Sequence, residues 1–188
     1  MCSGIARLYW LIVAIALTTK RLWALLLCLA ILILDRITKL YIQHALSPLD
    51  HVPVIPNLLR IVHVENPGAA FGVLADGNPA FRALILIGVS FLVMCLVVAA
   101  LWMRSVTDEA VINLLALGAI LGGAGGNLYD RVVHGTVTDF IEVFHGSWSF
   151  PAFNVADSAI TVGATCLVLS TLLRPRQPDR KETLNAWR

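Results

Sequence analysis

Charge is what this chain has little of. Its 188 residues carry 14 Lys and Arg against 12 Asp and Glu, 14% in all, where a soluble domain carries about 25%. So few charges cannot cover a surface facing water, and a mean hydropathy of +0.80 marks an integral membrane protein. The net charge of +2 leaves no basic footprint for nucleic acid, and none is expected as a partner. Cys2, Cys28, Cys95 and Cys166 have neither metal nor disulfide spacing. Three of them lie in apolar runs, where a thiol behaves as a small hydrophobe. Familiar hydrolase signatures are missing as well. His44, His51, His63, His134 and His145 are scattered and form no H-E-x-x-H. No G-x-S-x-G supplies a serine elbow, and no His in the apolar runs can activate a cysteine. Gly122-Gly123-Ala124-Gly125-Gly126 fits neither G-x-G-x-x-G nor a P-loop, and no strand precedes it. The expectation is therefore an activity with no metal and no cofactor.

What is present is apolar length. Ala83 to Met103, Ala110 to Tyr129 and Ala152 to Leu173 each reach the roughly 20 residues that a helix needs to cross a bilayer. Leu22 to Leu34 has only 13 residues, so a complete span must run on through Asp35, Arg36 and Lys39 towards Ile42. Asp35 and Lys39 stand four apart with the acid first, the order in which a helix pairs them best. The plain reading is a pair that caps the span at the interface. Four spans make a mainly α, polytopic membrane protein. Lys20, Arg21 and Arg104, with the tail residues Arg174, Arg176, Arg180, Lys181 and Arg188, then share one side. Basic residues near span ends stay cytoplasmic, so both termini are expected there and segments 45–79 and 130–151 outside. Leu8 to Leu17 is too short to span, so residues 1–21 read as a cytoplasmic or interfacial extension, 22–174 as the membrane domain and 175–188 as a basic tail.

The external segments carry extended patterns. After Pro48, Pro53 and Pro56, which break any helix, Leu59 to Val64 is β-branched enough for a short strand. Asn66-Pro67-Gly68-Ala69-Ala70-Phe71-Gly72 is a turn whose small residues admit another chain closely. It is either a plain loop or the rim of a substrate groove, where an edge strand could hold an extended peptide. Thr136 to Phe144 is rich in β-branched and aromatic residues, with partial alternation. Gly118, Gly122 and Gly126 form the small-xxx-small stripe that lets membrane helices pack closely.

Against this background the polar residues stand out. Asp157 lies at the mouth of the last apolar run, with no further charge until Arg174. A carboxylate near the centre of a span costs about 2.5 to 3.5 kcal/mol on insertion scales, which makes it a functional candidate. Asn154, three residues earlier on the same helical face, can donate its amide to that carboxylate. Asn127, Asp130 and Arg131 share a face at the outer end of the third span. Arg131 there can pair with Asp130, orient a carboxylate or grip a lipid phosphate. Asp139 follows, 18 residues before Asp157 and at the same end. Two carboxylates at one depth can share a proton and supply an acid and a base together. That suffices for peptide hydrolysis by water without a covalent intermediate. A proton-coupled transporter relaying through Asp35, Asp139 and Asp157 is the rival reading, though neither internal repeats nor broken spans are visible. A non-catalytic binding or scaffold protein is the other.

Five motifs in order carry a resemblance to a known family. Asp35-Arg36-Ile37-Thr38-Lys39, Asn66-Pro67-Gly68-Ala69-Ala70-Phe71, Gly122 to Arg131, Val137-Thr138-Asp139-Phe140 and Phe153-Asn154-Val155-Ala156-Asp157 resemble bacterial lipoprotein signal peptidase, signal peptidase II, from about Leu22 to Leu173. The resemblance implies a monomeric, four-span aspartic peptidase of the inner membrane, with a small periplasmic β-cradle and its active site near the periplasmic face. It implies cleavage of the signal peptide from prolipoproteins just before the diacylglyceryl-modified cysteine, contact with membrane lipid, and inhibition by globomycin. It puts the catalytic dyad on Asp139 and Asp157, and supporting or substrate-binding roles on Asn66, Gly68, Asn127, Arg131, Asn154, Asp35 and Lys39. Two features depart from the family pattern: Gly125 stands where a larger apolar residue is usual, and residues 1–21 are longer than usual. Tyr129-Asp130 echoes presenilin-like proteases, but no Asp here follows Gly-x-Gly.

Overall fold

A computed structural model of the chain describes residues 2–48, 50–68, 78–103 and 111–173, with side chains from Thr19 onward. Ala69 to Gly72 of the turn motif, Arg104 and the basic tail from Arg174 lie outside the described residues. Four helices, α1 (Cys2–Ala45), α2 (Pro79–Met103), α3 (Val111–Val133) and α4 (Val155–Leu172), alternate with four strands, β1 (His51–Ile55), β2 (Leu59–Asn66), β3 (Val137–His145) and β4 (Trp148–Ser149). Helices α2, α3 and α4 are long and apolar enough to cross a membrane. Helix α1 carries Asp35, Arg36 and Lys39 within its last three turns. It also begins at Cys2, so no structural break separates residues 2–21 from the run that follows. No proline interrupts the chain between Cys2 and Ala45, and the helix has no reason to stop.

Helix α3 is the hub. Its buried residues include Leu114, Leu117, Gly118, Ile120, Gly122 and Gly123. A Cβ at Gly118 would overlap the Ala24 carbonyl of α1, and one at Gly122 would press on Cys28. Gly126 completes that stripe against the Asp35 carboxylate. Gly123 lies off the stripe and faces the other neighbour, the Ala156 carbonyl of α4. Gly163 of α4 approaches the Ala116 carbonyl in return. Small residues thus let three backbones close on one another, the usual means of helix association where lipid offers no hydrophobic drive. An apolar cluster of Ala24, Val97, Leu101, Leu114, Leu117 and Ile120 fills the end of the bundle away from the sheet. The outer face of α2 exposes Phe81, Leu84, Phe91, Leu96 and Trp102, a surface suited to lipid rather than water.

The strands form one antiparallel sheet in the order β1-β2-β3-β4. Strands β2 and β3 fall where the β-branched segments predict them, while β1 and β4 are additions. Pro53 explains why β1 escapes notice. It sits on the edge strand opposite Arg60, where a missing N–H breaks no interior ladder.

Candidate active site

Strand β3 leaves α3 through a turn at Gly135, whose φ of +78° is in the left-handed region that glycine tolerates. This brings Asp139 opposite Val64 of β2, two residues from Asn66. The Asn66 amide donates from Nδ2 to Asp139 Oδ2 at 2.9 Å, while its Oδ1 accepts from Gly68 N at 2.9 Å. The turn motif thereby fixes which end of Asn66 meets the acid.

Asp157 enters from α4. The sequence pattern put Asn154 inside that helix, donating its amide to Asp157, and here the structure differs. Helix α4 starts at Val155, and Asn154 is its N-cap with extended backbone. Asn154 Oδ1 accepts from Asp157 N at 2.9 Å, and Asp157 Oδ2 accepts from Asn154 N at 3.3 Å, a reciprocal capping box. With its oxygen so committed, the Asn154 amide turns its Nδ2 to Asp139 Oδ1 at 2.7 Å and towards Asn127 Oδ1 at 3.2 Å. Asn127 is the side chain that serves Asp157, donating from Nδ2 to Oδ1 at 2.7 Å. Each of the four carboxylate oxygens therefore receives one donor, and Asn154 touches both acids. Burial pushes the Asp139 carboxyl up to about 7, and the neighbouring Asp157 charge adds to the rise, against the opposing bonds from Asn66 and Asn154.

The other charged residues lie behind this pair. Asp35 and Lys39 are not on the rim of the bundle: they are 2% and 0% exposed and bond at 2.7 Å inside it. Charge so deep needs full coordination. Lys39 Nζ also meets Asp130 Oδ2 at 2.7 Å and donates to Asn127 Oδ1 at 3.0 Å. Asp35 Oδ1 accepts from Ala156 N at 2.9 Å and so ties down the first turn of α4. Asp130 pairs with Lys39 and, at 3.2 Å, with Arg36, rather than with Arg131. Arg131 Nη2 instead reaches the Gly68 carbonyl at 3.4 Å.

Sequence reasoning gave no role to a polar ladder beside Asp139. Gln43 Nε2 of α1 donates to Thr138 Oγ1 at 2.7 Å, and that hydroxyl donates to Glu65 Oε1 at 2.8 Å. Thr136 Oγ1 donates to Glu65 Oε2 at 2.6 Å, and His63 stands 3.1 Å from Oε1. These hydroxyl bonds, with His63, hold the Glu65 carboxyl below its usual range despite the opposing effect of its burial. The period-2 spacing of Thr136 and Thr138, and of His63 and Glu65, was the available signal.

The acids open onto a groove of 980 Å³. Asn66, Asn127, Arg131, Asp139 and Asp157 line its polar side, and Phe150, Phe153, Ile160 and Val162 its apolar side. The groove thus sets an apolar wall beside the two carboxylates.

Comparison with known proteins gives one answer. The family described as Signal peptidase (SPase) II matches residues 27–173. The lipoprotein signal peptidase of Solibacter usitatus is 42% identical over 144 residues, covering 77% of this chain and 86% of that protein. That of Pseudomonas putida is 42% identical over 163 residues, covering 85% and 92%. A bacterial membrane enzyme solved by the in meso method at 2.3 Å resolution superposes with a TM-score of 0.69 at 28% identity, over 83% of this chain and 94% of that one. Matched along most of its length, the chain belongs to the signal peptidase II family, the membrane peptidases that process lipoprotein signal peptides.

Proposed function

We propose that the chain is an aspartic endopeptidase in which Asp139 and Asp157 activate water to cut prolipoproteins just before the diacylglyceryl-modified cysteine. The observation that supports this most is a contrast among the acids that the helices and the sheet bring together. Asp35 and Asp130 are paired with cations, whereas Asp139 and Asp157 are held by amide and backbone N–H groups. Among the described residues neither of the two makes an ion pair, so both stay available for proton transfer.

In the resting pair the shared proton rests on Asp139, whose buried carboxyl is pushed up to about 7. Asp157 takes a proton from the attacking water as the new C–O bond forms, and Asp139 donates its proton to the carbonyl oxygen. When the C–N bond breaks, Asp157 gives its proton to the leaving nitrogen and a hydroxyl of the gem-diol returns one to Asp139 as the new carboxyl C=O forms, so the dyad is again singly protonated. Asn127 and Asn154 hold the acids at fixed orientation, and Asn66, braced by Gly68, supports Asp139 from the sheet. Arg131, reaching the Gly68 carbonyl, braces the backbone that follows Asn66. Asp35 and Lys39 anchor α4 and Asn127 from behind.

On this reading α1 is the fourth span, both termini are cytoplasmic, the sheet is a periplasmic cradle, and the monomeric enzyme resides in the inner membrane and is blocked by globomycin. Asp139→Asn and Asp157→Asn keep the shape but remove one proton-transfer role each. Purified variants in detergent, given a diacylated precursor, should show cleavage down at least about 1000-fold. Processing by either variant at the wild-type rate would overturn the assignment.

A further inference from the structure

The strand pair that brings Asn66 to Asp139 is not a regular ladder. From Leu59 to Ile61, β2 pairs with β3 in one register, with Ile61 opposite Ile141. From Val64 to Asn66 it pairs in another, with Val64 opposite Asp139 and Asn66 opposite Val137. Between the two, Val62 and His63 stand against Phe140 alone, a β-bulge with one extra residue on β2. That residue decides which side chain meets the acid. Continued without the bulge, the first register would set Asn66 opposite Thr136 and Glu65 opposite Val137. A slip of one residue turns every side chain to the other face, so Glu65 would share the face of Asp139 and Asn66 would turn away. With the bulge, Asn66 reaches Asp139 Oδ2 at 2.9 Å, and Glu65 meets Thr138 on the far face.

His63 lies within the bulge, is 7% exposed, and is pinned on both sides. Its Nδ1 donates to the Leu46 carbonyl, just beyond the end of α1, at 2.8 Å, and its Nε2 stands 3.1 Å from Glu65 Oε1. Glu65 in turn accepts from Thr136 and Thr138 of β3, and Gln43 in the last turn of α1 donates to Thr138. The bulge is thereby tied to the end of a helix and to the neighbouring strand. We propose that His63 is a positioning residue: by holding the bulge between the end of α1 and Glu65, it fixes the register in which Asn66 rather than Glu65 faces Asp139. The inference rests on the proposed role of Asp139 and adds to it a residue that acts on the acid through Asn66. The Asn66 bond opposes the rise of the Asp139 carboxyl, so a register that removes the bond and brings a second carboxylate to that face lets the carboxyl rise further.

The test is a double-mutant cycle between His63→Ala and Asn66→Ala, read by cleavage of a diacylated precursor in detergent, with thermal unfolding to show that each variant is folded. Each single change should lower kcat about tenfold, the loss of one hydrogen bond to the acid, and leave KM within about twofold. Because both act on the same bond, the double variant should fall well short of the hundredfold product. The decline of cleavage at high pH should also move to higher pH in His63→Ala, which a smaller folded fraction would not produce. His63→Asn, which keeps a donor in the place of Nδ1, should lose less than about threefold, and it carries the cycle if His63→Ala does not fold. A full hundredfold loss in the double variant would overturn the proposal, as would an unmoved pH profile or a loss in His63→Asn as deep as in His63→Ala. Normal cleavage by Asp139→Asn and Asp157→Asn would instead strike the peptidase reading, whereas additive losses beside inactive Asp variants strike this inference alone.

Discussion

At the scale of single residues, the decisive feature is a carboxyl that keeps its proton near neutrality. Asp139 ordinarily titrates near 3.8 and is pushed to about 7. Between those values the folded protein holds a proton that the unfolded chain has released, so stability falls as pH rises from about 4 to about 7. Asp139→Asn has no proton to lose. Its unfolding temperature in detergent should decline less than that of wild type across the same window, and identical slopes would contradict the buried-acid argument. Cleavage by wild type should likewise fall above about 7, approaching tenfold per pH unit once the dyad is fully ionised. An activity plateau extending beyond pH 9 would exclude Asp139 as the proton donor. The acids and amides themselves were legible in the sequence, because polar side chains at the mouths of apolar runs are few. Which amide serves which acid was not. It turns on where the helix begins: with Asn154 as the cap rather than inside the helix, its oxygen is consumed by the backbone and its nitrogen is left for Asp139.

At the scale of elements, the run lengths disclose four helices, and the β-branched clusters disclose the two central strands. The edge strands stay hidden: β1 because Pro53 argues against a strand unless its place at the edge is known, and β4 because two residues carry no periodicity. The glycines of α3 show how finely spacing must be read. Gly123, outside the every-fourth-residue stripe, makes the backbone approach to α4, the helix that carries Asp157. A methyl group there overlaps the Ala156 carbonyl, and the two helices must separate just below the bond from Asn127 to Asp157. Gly123→Ala should lower stability by about 1 to 3 kcal/mol and cleavage with it. Gly125 is the opposite case. Its added Cβ would meet Leu32 Cδ2 at 3.1 Å and Met94 Cε at 3.9 Å, both ends of flexible side chains. Gly125→Ala should therefore be neutral or stabilising by up to about 1 kcal/mol, since alanine is the better helix former. Thermal unfolding of the two alanine variants side by side checks the contrast, and equal losses would mean that α3 does not pack as described.

At the scale of the whole molecule, one ammonium group joins three helices. Lys39 of α1 bonds Asp35 on its own helix and Asp130 and Asn127 on α3, while Asp35 holds the first turn of α4 through Ala156 N. The pairing of Asp35 with Lys39 was readable from their spacing, but its depth was not, because a heptad of sequence cannot say that two other helices close over it. The same contacts tie assembly to chemistry. Lys39 claims Asn127 Oδ1, which leaves Nδ2 to face Asp157. Lys39→Met keeps the length of the side chain but strips the buried Asp35 of its cation and leaves Asp130 with Arg36 alone, a change that typically costs about 3 to 5 kcal/mol. Lys39→Met combined with Asp35→Asn removes one of those charges, so it should recover part of the unfolding temperature. It should not recover cleavage, because nothing in the double variant restores the ammonium that orients Asn127. Stability and activity recovering together would mean that Lys39 merely balances charge, and that the orientation of Asn127 is set by Asn154 alone.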